Sequence, residues 1–383
     1  MSITAPKGFR ASGVVAGLKP SGKPDVAVVV NDGPSDVAAA VFTANRCKAN
    51  PVLWSERVIA DGRARAVVLN SGGANCYTGP EGFQNTHASA ELTAKLLGLG
   101  AIDVVVCSTG LIGEQLDGPK LMAGIEQAVQ ARSATGGAEA ATAIMTTDTR
   151  SKQAVHHGDG WTVGGMAKGA GMLAPALATM LVVITTDAAV DVESADRALR
   201  DACRVTFDRL DSDGCMSTND TVLLMSNGAS ERTPDYLTFA EALRGICHDL
   251  AQQLLGDAEG SEHDIAIEVI RAASEDDAVD VGRAIARSNL FKCAVFGNDP
   301  NWGRILAAVG TTDAAFEPST LDVAMNGVWI CRDGGPGESR DEVDLKDRAV
   351  RVTVDLKAGA ASATIWTNDL THAYVHENSA YST

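Results

Sequence analysis

The amino-acid sequence predicts a layered α/β protein with mixed β-sheets. Short runs rich in Val and Ile, bounded by Gly, Asp, Asn or Pro, alternate with stretches of helical periodicity. Several of these runs are apolar throughout, which is typical of strands that are covered on both faces. The chain has 383 residues, and at about 150 residues per domain this length allows roughly two domains with a large core.

Each predicted element rests on its local pattern. Strands are expected at Val26–Asn31, Ala39–Thr43, Ala66–Asn70, Asp103–Cys107, Met180–Thr185, Thr221–Met225, Ile265–Ile270, Lys292–Phe296, Leu321–Ile330, Ala349–Asp355 and Ala361–Trp366. Helices are expected at Thr86–Leu97, Pro119–Arg132, Val192–Cys203, Thr238–Leu255 and Ser274–Asn289. Thr238 with Glu241, and Ser274 with Asp277, have the spacing of capping boxes and are expected to begin their helices. The soft composition of Ser133–Ala143 predicts an exposed loop.

The charge balance and the cysteines narrow the class of protein. The 32 basic and 49 acidic side chains give a net charge of −17, which disfavours nucleic-acid and anionic-membrane partners. No apolar run approaches the roughly 18 residues of a membrane span, and the start of the chain lacks the apolar core of a signal peptide. The eight cysteines are scattered without a CxxC pair, so we expect reduced thiols and a cytoplasmic protein.

Four glycine-containing segments carry the chemical interest. In Met166–Asp187 (MAKGAGMLAPALATMLVVITTD) a glycine-rich loop runs into an apolar strand that begins at Thr179. Small residues also follow strands at Cys107–Gly110 (CSTG) and Asn70–Asn75 (NSGGAN), where backbone N–H groups can cradle a developing negative charge. Phe296–Leu306 (FGNDPNWGRIL) predicts a loop followed by a helix. Taken by itself, each segment can be an ordinary glycine turn, and for Met166–Asp187 and Phe296–Leu306 this interpretation is favoured over a catalytic one.

Taken together, the motifs resemble one family. KGAGM at Lys168–Met172, followed by Pro175 and by ATML at Ala178–Leu181, resembles the self-cleavage motif of the ornithine acetyltransferase family, the bifunctional glutamate N-acetyltransferases of arginine biosynthesis. Further blocks resemble the family in the same order: LNSGGAN at Leu69–Asn75, CSTGLIG at Cys107–Gly113, MTTD at Met145–Asp148, STNDT at Ser217–Thr221, DPNWGR at Asp299–Arg304 and ENSAYST at Glu377–Thr383. The resemblance covers essentially the whole chain.

The resemblance implies a fold and an assembly. The fold is an α-β-β-α sandwich of mixed sheets, as in the related aminopeptidases, with a smaller C-terminal α/β part. Self-cleavage would divide the chain into an α fragment, residues 1–178, and a β fragment, residues 179–383. Two copies of each fragment would form a heterotetramer. The implied partners are small-molecule substrates, with no nucleic acid and no membrane.

Thr179 is a credible nucleophile only once the chain is broken before it. An internal Thr hydroxyl is weakly acidic, and no His lies near it in sequence. Cleavage between Ala178 and Thr179 creates an α-amine with a pKa of about 7.7–8.0. This amine is partly neutral near pH 7 and can accept the proton of the Oγ of the same residue. The resemblance implies that the cleavage is autocatalytic.

The resemblance further implies acetyl transfer in two steps. Thr179 takes the acetyl group of N2-acetylornithine as an ester, ornithine leaves, and the α-amine of glutamate collects the acetyl group, which predicts ping-pong kinetics. The Thr109 hydroxyl and the Gly110 N–H are the implied oxyanion hole. The implied substrate contacts are Thr146 or Thr147, Lys168, Thr179, Glu259, Asn378 and Thr383. A Lys ammonium suits a carboxylate, and Glu259 suits the δ-ammonium of ornithine. No cofactor or metal is implied, and acetyl-CoA is allowed as a second acetyl donor.

The chain departs from the family at one place. Ser261-Glu262-His263 follows Glu259-Gly260, where the family usually has Thr or Ser and then Lys. Two interpretations stay open at this point. The change either alters the preference between ornithine and glutamate, or it is a silent change of the surface.

Other functions are weighed against this one. Gly17–Lys23 spells GxxxxGK, but Pro24 stands where Ser or Thr would bind Mg²⁺ and a strand pattern follows, so a nucleoside triphosphatase is rejected. His372 and His376 are four residues apart, but without an HExxH motif we favour surface or packing histidines over a zinc site. A transacetylase-only member, and a related self-cleaving aminopeptidase or amidase in which water accepts the acyl group, are left open.

Overall fold

A computed structural model describes residues 2–172 and 180–380 of the protein, which form two compact units. The first unit contains the residues up to Asp208 together with Cys215–Asp257. The second contains Arg209–Gly214 and the residues from Ala258 onward. Both units combine helices with mixed sheets, so the predicted fold class is confirmed. The expected fragments 1–178 and 179–383 stay a prediction, because the junction lies outside the described residues.

The first unit holds two mixed sheets. Its strands are β1 (Phe9–Val14), β2 (Val26–Asn31), β3 (Val37–Phe42), β4 (Ala66–Ser71), β5 (Val104–Thr109), β6 (Lys152–His157), β7 (Thr162–Lys168), β8 (Leu181–Thr186) and β9 (Thr221–Ser226). Its helices are α1 (Asn50–Val58), α2 (Gly79–Leu97), α3 (Gly118–Ala131), α4 (Gly137–Ala143), α5 (Val192–Val205) and α6 (Tyr236–Leu255). One sheet has the order β1-β2-β4-β5 and the other β3-β9-β8-β7-β6. The pairs β4–β5 and β8–β9 are parallel, and the other neighbours are antiparallel.

The two sheets of the first unit share one apolar core. Leu181 and Val183 of β8, and Leu223 of β9, belong to the same buried cluster as the Val-rich strands β2, β4 and β5. Helix α6 packs against β6 and β7, where Gly165 leaves so little room that an added Cβ would lie 2.9 Å from Leu250. Helices α1, α2 and α3 pack against strands of the other sheet. This is the layering of helices and facing sheets that the resemblance implies.

The second unit is the expected smaller C-terminal α/β part. Its strands are β10 (Asp264–Ala272), β11 (Asp322–Met325), β12 (Val328–Arg332), β13 (Gly335–Pro336), β14 (Ala349–Asp355) and β15 (Ala361–Asn368). Its helices are α7 (Glu275–Ala286), α8 (Asn289–Phe296), α9 (Trp302–Val309) and α10 (His372–Ala380). The sheet order is β13-β12-β11-β14-β10-β15, with only β10–β14 parallel among these described strands.

Most predicted elements are confirmed within a few residues, but helix α2 begins at Gly79 rather than at Thr86, and three of the expected strands and loops are wrong. Lys292–Phe296, expected as a strand, lies in helix α8, because a short apolar run does not by itself separate the helical from the extended period. Leu321–Ile330 is two strands, β11 and β12, joined by a tight turn. Ser133–Ala143 contains the buried helix α4, which lies so close to β1 that a Cβ on Gly13 would be 2.0 Å from the carbonyl oxygen of Glu139.

Two helix starts test the predicted caps. Ser274 precedes α7 and its Oγ accepts the backbone N–H of Asp277 at 3.0 Å, as predicted. Helix α6 instead begins after Asp235, whose carboxylate accepts the N–H of Thr238 at 3.0 Å. Thr238 therefore lies within the first turn rather than at the cap.

The cysteines and the helices bear on the expected class of protein. All eight cysteines are free thiols. Burial raises the pKa of Cys107 to about 12, which keeps this thiol protonated and unreactive at neutral pH. None of the helices in the described part of the chain is long and apolar enough to cross a lipid bilayer.

Candidate active site

The predicted oxyanion donors lie where the parallel strands β4 and β5 end. Thr109, the last residue of β5, is 2 % exposed, and Gly110 follows it with φ +133°. A Cβ on Gly110 would lie 2.6 Å from the backbone nitrogen of Gly73, so only glycine fits there. The Gly110 N–H donates no hydrogen bond to any described residue. This donor is therefore available to a ligand.

A buried amide fixes both strand ends. Asn219 Nδ2 donates to the carbonyl oxygen of Ser108 at 2.8 Å and to that of Ala74 at 2.6 Å. The Ser108 hydroxyl donates in turn to Asn70 Oδ1 at 2.5 Å. Asn219 stands in the STNDT block, to which the sequence analysis assigned no role. Its function as a scaffold depends on contacts more than a hundred residues away along the chain.

Lys168 contacts the strand end at Thr109 and Gly110, which we call the oxyanion loop after its predicted role. It is the last residue of β7 and is 1 % exposed, and its Nζ donates to Thr109 Oγ1 at 3.4 Å. An ammonium group has donors only, so the Thr109 oxygen accepts this bond. The hydroxyl hydrogen of Thr109 can then point to another acceptor. The structure thus brings together three of the predicted site residues, Lys168, Thr109 and Gly110.

Asp148 uses both of its oxygens. Oδ1 accepts from Lys152 Nζ at 2.6 Å and from the Gly169 N–H at 2.7 Å, and Oδ2 accepts the Thr146 N–H at 2.9 Å. Burial alone would raise the pKa of Asp148, but the positive charges of Lys168 and Lys152 and these hydrogen bonds lower it to about 2. The side chain is therefore a buried carboxylate that stays ionised at neutral pH.

Two further lysines lie around this carboxylate. Lys152 Nζ also donates to Asp257 Oδ2 at 2.5 Å, and both side chains are buried. Lys19, from the GxxxxGK segment, donates to the carbonyl oxygen of Met145 at 2.5 Å. Burial lowers the pKa of Lys19 to about 8, and the charge of Lys168 acts in the same direction. Strand β2 follows the GxxxxGK segment, in agreement with the rejection of a phosphate loop.

The motifs did not indicate a role for Asp220. This residue is fully buried, and its Oδ1 accepts the backbone N–H of Met180 at 2.9 Å. Burial raises its pKa well above the usual range, although the Met180 N–H and the charge of Lys168 oppose the shift. Its Oδ2 has no hydrogen-bond partner among the described residues. Asp220 therefore holds the backbone at the residue that follows Thr179 in the sequence.

Glu259 and Asn378 lie in the second unit. Gly260 follows Glu259 with φ +61°, and a Cβ there would lie 2.2 Å from the Tyr374 nitrogen, so this loop packs closely against the start of α10. The Tyr374 hydroxyl donates to Asp213 Oδ1 at 2.7 Å. Burial raises the pKa of Tyr374, and the carboxylates of Asp213 and Glu259 raise it further. Asn378 lies one turn later on α10, where its Nδ2 donates to the Tyr374 carbonyl at 3.0 Å.

His263 accounts for part of the departure from the family. Its ring is buried, with Nδ1 2.7 Å from Asp369 Oδ2 and Nε2 2.9 Å from the carbonyl oxygen of Leu345. Asp369 Oδ1 also accepts the backbone N–H groups of Glu262 and His263 at 3.0 Å. Both ring nitrogens are engaged, so the ring stabilises the start of β10 and offers no free nitrogen to a substrate.

The remaining predicted residues are not tested by the geometry. Ala178, Thr179 and Thr383 lie outside the described residues. Thr146 and Thr147 are half-buried in the turn before β6, and their positions do not separate the two alternatives. Within residues 2–172 and 180–380, no group of three or more His, Cys, Asp or Glu side chains is placed to hold a metal ion.

Comparison with known proteins decides the family. The ArgJ family model matches residues 10–383. The chain belongs to the ArgJ family. It is 65 % identical over 382 residues to the arginine biosynthesis bifunctional protein ArgJ of Streptomyces coelicolor, with all of both chains covered. It is 55 % identical over 388 residues to the protein of that name from Mycobacterium tuberculosis, covering 99 % of this chain and 96 % of the relative. These matches confirm the resemblance drawn from the motifs.

Two solved structures are also similar to parts of this ArgJ-family chain. The crystal structure of ornithine acetyltransferase from Mycobacterium tuberculosis complexed with ornithine is 56 % identical, with a TM-score of 0.45, and covers 47 % of this chain and 96 % of that chain. The crystal structure of the arginine biosynthesis bifunctional protein ArgJ from Bacillus halodurans is 34 % identical, with a TM-score of 0.48, and covers 51 % of this chain and 97 % of that chain.

Proposed function

We propose that this ArgJ-family enzyme transfers the acetyl group of N2-acetylornithine to glutamate through an ester on Thr179, giving ornithine and N-acetylglutamate. Relatives that are 55 % and 65 % identical over nearly the whole chain carry the name of bifunctional arginine-biosynthesis proteins, and the chain is accordingly an N-acetyltransferase of that pathway. The observation that carries the mechanism is the Thr109 hydroxyl held by Lys168 beside the Gly110 N–H.

The oxyanion loop provides the electrostatic part of the catalysis. Attack on the acetamide places a negative charge on its oxygen. The Thr109 hydroxyl hydrogen, left available because its oxygen accepts from Lys168, and the Gly110 N–H supply two donors for that charge. One such donor is typically worth about 2.7–4 kcal/mol of activation free energy. The buried Lys168 ammonium adds a positive charge at the same place.

The nucleophile needs its own base. Among the described carboxyl groups that interact with Lys168, Asp148 accepts hydrogen bonds on both of its oxygens, and burial favours the neutral form of Asp220. We therefore assign the base to the α-amine that cleavage exposes on Thr179, whose pKa of about 7.7–8.0 suits proton transfer near neutral pH. The hydrogen bond from the Met180 N–H to Asp220 fixes the backbone at Met180, which follows Thr179 in the sequence.

The substrates require charge recognition at both ends. Lys168, with Thr146 or Thr147, suits the carboxylate that both amino acids carry. Glu259 suits the δ-ammonium of ornithine. Its negative charge helps to raise the pKa of Tyr374, which lies on helix α10 together with Asn378. Thr383 would add a polar group at the chain end. Small molecules are the substrates of this enzyme, and its assembly as two copies of each fragment in the cytoplasm is part of the proposal.

Substitution of the proposed nucleophile, Thr179, tests the proposal. Wild-type protein should show two masses that correspond to residues 1–178 and 179–383 in an intact-mass spectrum. Thr179→Ala should give one full-length mass and no acetyl transfer. Thr311→Ala, which removes a hydroxyl that donates only to the Ala308 carbonyl, is the matched control and should cleave and turn over normally. An unbroken wild-type chain that is fully active would refute the assignment of Thr179.

The acceptor separates the remaining alternatives. Ornithine released from N2-acetylornithine only in the presence of glutamate supports the transferase, whereas free acetate formed without glutamate supports an amidase. N-acetylglutamate formed from acetyl-CoA and glutamate distinguishes a bifunctional enzyme from a transacetylase-only one. The native mass of the cleaved protein reports whether two copies of each fragment assemble.

A further inference from the structure

We propose that Asp148 is a positioning residue that holds the proposed substrate-binding turn and the backbone that leads from Lys168 into the self-cleavage loop in one arrangement. This inference rests on the proposed function, because it gives Asp148 a role in the proposed acetyl transfer. Nothing in the MTTD motif by itself indicates which of its residues has such a role.

The geometry connects two segments through one side chain. Asp148 Oδ2 accepts the N–H of Thr146, in the turn that carries the predicted substrate threonines. Oδ1 accepts the N–H of Gly169, the first residue after β7 on the way to the cleavage site. The side chain is completely buried, so water does not replace either bond. A shift of this carboxylate therefore moves both segments.

The charge of Asp148 acts on Lys168. Asp148, Asp220 and Lys19 are among the charged groups that act on Lys168. Lys19 disfavours the ammonium form of Lys168, and burial favours the neutral form of Asp220. The charge of Asp148 favours the ammonium form, and a buried charge without compensation is strongly unfavourable. An ionised Lys168 is what donates to Thr109 Oγ1 in the oxyanion loop.

The chain offers a matched control. Lys152 Nζ is bonded to two buried carboxylates, Asp148 and Asp257. The other contacts of Asp257 are the backbone N–H and the hydroxyl of Thr149. Asp148→Asn and Asp257→Asn each remove one of the two carboxylate charges that pair with Lys152. Only the first substitution also disturbs the bonds to Gly169 and Thr146.

The test compares these two variants with the wild-type protein. Melting temperature, rate of self-cleavage, kcat and KM per cleaved protein, and the pH profile of kcat are measured. Both variants should melt at a lower temperature. Asp148→Asn should reduce kcat by about a hundredfold, as small misplacements in active sites do. It should also shift the high-pH limb of the kcat profile to lower pH by about one unit, because the charge of Asp148 no longer favours the ammonium form of Lys168. Asp257→Asn should keep the wild-type limb and most of kcat.

Equal losses of kcat in the two variants, with unmoved pH limbs, would overturn the proposal and leave Asp148 a purely structural residue. Should Asp148→Asn fail to accumulate, Asp148→Glu keeps the charge but moves both oxygens by one methylene. Its kcat should fall while its high-pH limb stays at the wild-type value, and an unchanged kcat would overturn the proposal. Failure of the proposed function is seen separately, in a wild-type protein that neither splits nor transfers acetyl.

Discussion

Substitution of Gly110 by Ala tests the oxyanion hole most directly. The added Cβ would lie 2.6 Å from the Gly73 nitrogen and 3.0 Å from the Gly72 carbonyl carbon. Both are backbone atoms, which cannot rotate away as the end of a side chain can. Gly110 also has φ +133°, a conformation that residues with a Cβ rarely adopt. The loop must therefore shift, and the Gly110 N–H turns away from its position beside Thr109.

The magnitude follows from two effects of different kind. A strained backbone conformation for a residue with a Cβ costs about 1–3 kcal/mol of folding stability. Loss of one oxyanion donor raises the activation free energy by about 2.7–4 kcal/mol, which corresponds to about a hundredfold to a thousandfold in kcat. We therefore expect a modest decrease in melting temperature, a large decrease in kcat, and a small change in KM.

The assay is steady-state acetyl transfer from N2-acetylornithine at saturating glutamate, normalised to cleaved protein. Gly113→Ala is the matched control, because Gly113 lies three residues later with φ +86° and a Cβ there would meet nothing within 4 Å. The control introduces the conformational strain without the clash at the donor. A kcat for Gly110→Ala within threefold of the control would refute the role of this N–H.

Three further predictions concern Asn219, Asp148 and Gly260. Asn219→Ala leaves the carbonyl groups of Ser108 and Ala74 without the Asn219 donor, so the free energy of unfolding should fall by about 1–3 kcal/mol, and kcat should also fall. An undiminished melting temperature would contradict the scaffold role. The Asp148 pKa of about 2 lies below its ordinary value of 3.8. The ionised carboxylate therefore stabilises the folded state above about pH 4, and this contribution is lost as the pH falls through 2. In urea titrations the stability gap between wild type and Asp148→Asn should therefore narrow from pH 5 to 2, whereas a constant gap would refute the assignment. Gly260→Ala forces a Cβ to within 2.2 Å of the Tyr374 nitrogen, which should displace Glu259 and raise KM for N2-acetylornithine, while intact mass shows normal self-cleavage.

Local sequence patterns predicted the secondary structure correctly where only one hydrophobic periodicity fits the residues. The bounds of β2 and β14 are as predicted, because a Val-rich run bounded by turn residues has no other stable place than a buried strand. The same reasoning put Thr109 and Gly110 at a strand end. It failed for Lys292–Phe296, whose five residues fit either period, and for α4, whose Ala and Gly residues are typical of a loop but serve close packing here.

The sequence by itself determined the layered α/β class and the family motifs, and through these motifs it predicts a chemistry that requires a free amine on Thr179. These are properties of neighbouring residues, and they can be read along the chain. Only the tertiary structure decided that Asp148 bonds Lys152 and is acted on by the charge of Lys168, and that Asn219 bonds Ser108 and Ala74. The partner of a buried charge or amide is set by the path of the whole chain. In an interior with little water each such group must find a partner, whatever their separation in sequence.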